Sequence, residues 1–144
     1  FNQANDTFTN LNITVTNLFG IDGTDSIKMN GYMSINDTGL IKSFSISLVM
    51  SNTITNKTYW LKEFTFTHTD NMLIIGGRYY DHDNGYVDIS TVTRIPVLTY
   101  SDDFTSGQLL FTGGNGTKAR LTYTPTGPLL EVDASGNNTY VVVP

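Results

Sequence analysis

The groups with the greatest chemical reach lie between residues 68 and 88. The run Asp81-His82-Asp83-Asn84-Gly85-Tyr86-Val87-Asp88 sets three carboxylates around a glycine turn. Oxygen donors at spaced positions suit a hard cation, so Asp81, Asp83 and Asp88 are candidate calcium ligands. The run lacks the terminal bidentate Glu of a calcium loop. Asp and Asn are also what a solvated hairpin tip requires, and that is the competing reading. His68 and Asp70 stand two apart and would share one face of a strand. With His82 they could make an acid/base or metal pair. No nucleophile in a recognisable context accompanies them, and Gly-x-Ser-x-Gly is absent. Gly113-Gly114-Asn115-Gly116-Thr117-Lys118 has the glycines of a phosphate loop in the wrong order, and a strand comes after it; it reads as a hairpin loop. The chain has no cysteine, which removes disulfides, thiol catalysis and zinc-thiolate sites together. A hydrolase is therefore the third reading, and no catalytic residue and no cofactor other than calcium is assigned.

A second kind of candidate is recognition. Tyr59, Trp60, Tyr79, Tyr80 and Tyr86 cluster in the middle of the chain. Exposed on a sheet, they would stack against sugars or a protein partner; paired across strands, they would only pack. Asn-x-Ser/Thr sequons begin at Asn5, Asn12, Asn36, Asn56, Asn115 and Asn137, which are candidates for glycosylation. Turn Asn beside strand Thr gives the same pattern without any glycan. Repeated Thr-x-Thr, as in Thr65-Phe66-Thr67, has no regular spacing and suits strands.

Strands must position all of these. Leu11 to Thr16 alternates, and Ile27, Met29, Met33 and Ile35 fall on one face of the next segment. Phe44, Ile46, Leu48 and Met50 alternate with serines. Trp60, Phe64 and Phe66 share a parity that Lys62 breaks, which predicts a bulge near 61–63. Asp70-Asn71 is a turn, and Gly76-Gly77 interrupts the strand after it. Asp83-Asn84-Gly85 predicts a type I′ hairpin. Further strands are read at 109–112, 119–124, 129–133 and 140–143, with one short helical turn allowed in the 98–106 loop. This predicts an all-β fold, an antiparallel sandwich or flattened barrel of about ten strands with meander-rich connections. The whole chain, 1–144, reads as a single β-domain, with 1–10 as an N-terminal arm and 139–144 as a C-terminal strand.

Composition excludes several classes. The 144 residues carry a formal net charge of −5 without a basic stripe, so nucleic acid is not an expected partner. No apolar run is long enough for a membrane-spanning helix. The chain opens at Phe1, so removal of an N-terminal leader, and an extracellular or cell-envelope location, are expected. Tyr140-Val141-Val142-Val143-Pro144 is apolar on both faces. It is either sheathed in its own sheet or paired with another subunit.

Two resemblances add to this. Tyr80-Asp81-His82-Asp83-Asn84-Gly85-Tyr86-Val87, Ser106-Gly107-Gln108-Leu109, Gly114-Asn115-Gly116-Thr117-Lys118-Ala119-Arg120-Leu121, Glu131-Val132-Asp133 and Gly136-Asn137-Asn138-Thr139-Tyr140 resemble the C-terminal half of uncharacterised secreted proteins and lipoproteins of Gram-negative bacteria. Where that family has an acidic turn, this chain has Asn137 and Asn138. The resemblance implies export to the envelope or beyond, and no activity. Asn5-Asp6-Thr7-Phe8-Thr9 with Leu11-Asn12-Ile13 is similar to the first strand of fibre-forming TasA-like proteins.

The expectation is a non-catalytic secreted β-domain with a structural or adhesive role, as in a self-assembling extracellular fibre subunit joined by exchange of terminal strands. The alternative is an extracellular or periplasmic module binding a small ligand or glycan, in a cavity lined by Trp60, Phe64 and Phe66.

Overall fold

A computed structural model describes residues 9–22, 25–97 and 104–144. Eleven strands succeed one another: β1 (Asn10–Asp22), β2 (Asp25–Asp37), β3 (Ile41–Asn52), β4 (Thr58–Thr69), β5 (Met72–Asp81), β6 (Gly85–Thr93), β7 (Ile95–Pro96), β8 (Gln108–Gly113), β9 (Lys118–Thr124), β10 (Gly127–Asp133) and β11 (Val141–Val142). The fold is all-β and antiparallel, a meander, as the alternation predicts. All strands belong to one sheet, in the order β1-β2-β3-β4-β5-β6-β8-β9-β10-β11, with β7 beside β5. The sheet does not close into a barrel. Residues 98–103 of the expected helical turn, and residues 1–8 of the arm, lie outside the described residues.

Turn chemistry sets the register. Asp70 and Asn71 both have positive φ, 50° and 58°, the signature of a two-residue type I′ hairpin. The Asp83-Asn84-Gly85 turn differs from expectation. Asp81 pairs with Gly85 across a three-residue loop, and only Gly85 (φ 85°) is left-handed. The loop is therefore not a two-residue type I′ turn; Asp81 Oδ1 accepts from the N–H groups of Asp83 and Asn84 and closes it.

Two bulges divide the long strands. One extra residue enters β1 between Val15 and Leu18. A second enters β4 between Lys62 and Thr65, centred on Glu63 with φ 52°. The expected bulge is there, but it reverses the parity of the rest of the strand. Leu61, Phe64 and Phe66 pair with Leu48, Ile46 and Phe44, while Trp60 pairs with Val49 on the other face. Trp60 therefore does not share a face with Phe64 and Phe66, and the cavity lined by all three is not formed. Gly77 sits opposite this bulge, and a Cβ there would lie 2.6 Å from Phe64 Cα. Only glycine lets Phe64 cross so closely.

Tracing parity through these pairings separates the faces. One carries Leu11, Ile13, Met29, Met33, Phe44, Ile46, Phe64, Phe66, Ile75, Ile89, Phe111 and Leu121. The other carries Asn12, Ser34, Ser45, Thr65, Thr67, Arg78, Asp88, Lys118, Arg120 and Glu131. Yet among the described residues no second layer covers the apolar face of this single sheet. Among the described residues the buried apolar side chains are only Ile95 and Leu109. Ile95 lies on β7, paired with Leu73 of β5, and Leu109 lies on β8 opposite Leu121. Gly107 packs on Ile95 so closely that a Cβ would be 2.7 Å from Ile95 Cγ1.

At that same point β6 leaves β5 for β8, and β7 takes over the ladder. Thr91 bridges the gap. Its hydroxyl accepts from Ile75 N–H at 2.7 Å and donates to Ile75 C=O at 2.9 Å, replacing a backbone partner with a side chain.

Candidate functional site

The hydrophilic face holds the densest side-chain cluster. Trp60, Tyr80 and Tyr86 lie directly across from one another on β4, β5 and β6. Trp60 and Tyr80 stack with centroids 5.0 Å apart at 15°, and Tyr86 lies next to Tyr80 at 5.6 Å and 50°. The spacing is close to that of neighbouring strands, so the pairing dictates the stack. Lys62 Nζ lies 5.3 Å from the Trp60 ring centroid. The Arg78 guanidinium lies 4.0 Å from the Tyr86 centroid. Gly114 lies against Tyr86, where a Cβ would be 2.8 Å from Cε1. The ring faces are thus taken by each other and by cations. This is the cross-strand packing arrangement of the two that the sequence allowed. Tyr59 and Tyr79 lie on the opposite face.

Arginines lock the rows. Arg78 Nε and Nη2 donate to the two carboxylate oxygens of Asp88, at 2.5 and 2.7 Å, and Nη1 donates to the Tyr80 hydroxyl at 3.2 Å. These hydrogen bonds raise the Arg78 pKa and hold the Asp88 carboxyl below its usual range. A second fork repeats the device. Arg120 donates to Glu131 at 2.6 and 2.8 Å, with its guanidinium 4.1 Å from the Tyr140 ring centroid. Glu131 is held low by Arg120 in the same way.

The calcium candidates are dispersed. Asp88 is bound to Arg78 on the polar face. Asp81 points to the other face and caps its own turn, also accepting from Asn84 Nδ2 at 2.7 Å. Asp83 pairs with Lys57 at 2.5 Å. Each carboxylate already has its own donor, and among the described residues no group of three potential ligands converges. His68 and His82 are also separated. His68 stands beside Leu73 at one end of β5, and His82 is in the turn beyond the other end, about 30 Å away at the rise of an extended strand. Asp70 belongs to the turn after β4, so it does not share a strand face with His68. The acid/base set expected of a hydrolase is not assembled.

The Gly113–Lys118 segment is the hairpin loop that its order predicts, with Gly113 N–H donating to Thr117 C=O at 2.8 Å. Of the sequon residues, Asn12, Asn36, Asn56, Asn115 and Asn137 are exposed, and Asn5 lies outside the described residues. Asn115 Oδ1 accepts from the Thr117 hydroxyl at 2.7 Å, and Asn137 Oδ1 from Thr139 N–H at 2.9 Å.

Sequence reasoning missed one group. Asp133 is fully buried and its carboxylate accepts four hydrogen bonds. Oδ1 takes Ser135 N–H and hydroxyl and Gly136 N–H, and Oδ2 takes Asn138 N–H at 2.7 Å. Burial pushes this carboxyl upward. The Asn138, Ser135 and Gly136 donors outweigh burial and hold it below its usual range. The turn docks on the β8–β9 hairpin through Gly136, where a Cβ would be 2.4 Å from Gly116 C=O, and Lys118 Nζ donates to Asn138 Oδ1 at 2.6 Å. The signal was Asp ahead of Ser and Gly at the end of a strand.

No family model, no curated protein and no solved structure matches this chain.

Proposed function

We propose that this chain is a non-catalytic structural or adhesive β-module that works by self-association of its sheet outside the cell or in its envelope. One observation carries the reading: an apolar face runs across one sheet, and among the described residues no second layer stacks over it, while the carboxylates that could act as ligands are held by arginine, lysine or turn donors. An uncovered apolar surface of this extent marks an interaction face. The resemblance of residues 79–143 to exported proteins supports the location. A fibre joined by terminal strands is the finer version of the same reading. Of the two ends, the C-terminal one pairs within its own chain: Val141 and Val142 lie on β10, and Val143 N–H donates to Leu130 C=O at 2.9 Å. Light scattering after size exclusion, with negative-stain microscopy of the same sample, tests the proposal. An oligomer, a dimer at least, whose share rises with concentration is expected. A monomer at every concentration would overturn it.

The alternative, a small apolar ligand, has its own observation. A depression of about 390 Å³ on the apolar face is lined by Ile35, Phe44, Phe66 and Leu73, with Lys42, Ser43 and His68 beside them. Saturable quenching of an apolar fluorophore by the monomer would favour it.

A further inference from the structure

Among the described residues β1 has a partner on one side only, and its other edge has the features of an interior strand. It is 13 residues long. Exposed edges are normally short, or guarded by lysine or proline. Residues 10–21 contain no charge and no proline. Beyond the bulge the strand is apolar on both faces. Leu18 points one way and Phe19 and Ile21 the other, and they are 51, 55 and 80 % exposed. The opposite edge of the sheet is different: β11 has two residues and Pro144 stands just beyond it. Head to tail, β1 would meet there only β11 and the first residues of β10, a much shorter stretch than its own thirteen.

We infer that β1 pairs with β1 of a second copy, antiparallel, about a two-fold axis through the Thr16–Asn17 bulge. The inference rests on the self-association proposed above and names its partner and site. The bulge is what makes the register work. In an antiparallel pair, parity must match for the faces to agree. Placing Val15 opposite the partner's Leu18 sets Ile13 opposite the partner's Gly20, both on the apolar face. It sets Thr14 opposite the partner's Phe19, both on the polar face. Without the extra residue these pairs would join opposite faces. The bulge is closed within its own chain, because Asn30 Oδ1 accepts Asn17 N–H at 2.8 Å, so it leaves the outer edge free. Lack of charge from 10 to 21 means that two copies meet without repulsion along the strand. The contact is isologous and closes after two copies.

The chain has no cysteine, so introduced thiols report cleanly. In the double variant Thr14→Cys/Phe19→Cys, the two sites face each other only between copies. Within one strand they are too far apart to bridge. Oxidation should give a covalent dimer, reversed by reductant. Ile13→Lys and, separately, Thr14→Lys place a charge at the edge on either face, and each should raise the dimer dissociation constant at least about tenfold. Circular dichroism confirms that each variant stays folded. Oligomers that persist in both folded lysine variants, with no crosslink in the cysteine variant, would overturn this inference and leave self-association standing. A monomeric parent protein would overturn both.

Discussion

At the level of single residues, the carboxylates that resemble ligands are fasteners. Asp88 and Glu131 each take a two-pronged bond from an arginine on the next strand, and Asp133 organises a turn. Their folded pKa values lie below the ordinary range, so they bind protons less readily folded than unfolded. Their contribution is therefore complete above the unfolded carboxyl pKa of about 4 and is lost as pH falls through the lower folded values. The melting temperature should be flat from neutral pH to about pH 5 and fall steeply below about pH 4. Asp133→Asn should lower it at neutral pH and make the acid slope shallower, as a pH series of thermal melts will show. An unchanged slope would remove Asp133 from the account. One fork is legible in the sequence: residues 120 and 131 are equidistant from the Pro125-Thr126 turn. The other is not, because a type I′ turn on Asn84-Gly85 would set residue 78 opposite 91, and the longer loop sets it opposite Asp88. Asp133 is not, because its donors all come from a loop without periodicity.

Among the elements, register depends on a few exceptions to regular alternation. Alternation and turn residues place most strands within a few positions. Parity carried across Glu63 puts Trp60 on the wrong face, because a bulge inverts parity. Among the described residues, five of the six other than glycine with positive φ are Asn or Asp; the sixth is Glu63. Composition cannot flag a left-handed Glu, since the neighbouring strands force it. The break between β6 and β7 is also invisible in the sequence, because it depends on one hydroxyl. Thr91→Val keeps the shape and removes that hydroxyl, leaving Ile75 N–H and C=O without their partner. It should lower the unfolding free energy by about 1–3 kcal/mol in urea titration. No change would mean that water takes the hydroxyl's place.

For the whole molecule, the strand count and the meander could be read from the sequence, but the number of layers could not. Period-two alternation says that one face is apolar, and it is silent about what covers that face. A sandwich, a barrel and an open sheet share the same pattern. An open sheet has a measurable signature in its stability. Central strands β3 to β6 have partners on both sides, whereas β1 has one. Amide hydrogen exchange on the monomer should show protection falling from β4 and β5 toward both edges. Uniform protection would indicate a single cooperative unit.

Along the main path the close contacts run almost wholly between neighbouring strands. Such an object behaves like a row of tiles: its stability is close to a sum of neighbour terms, and no interior must be filled to a fixed volume. A sandwich cannot gain or lose a strand without opening a hole. This sheet can lengthen or shorten by one hairpin and leave the remaining tiles undisturbed.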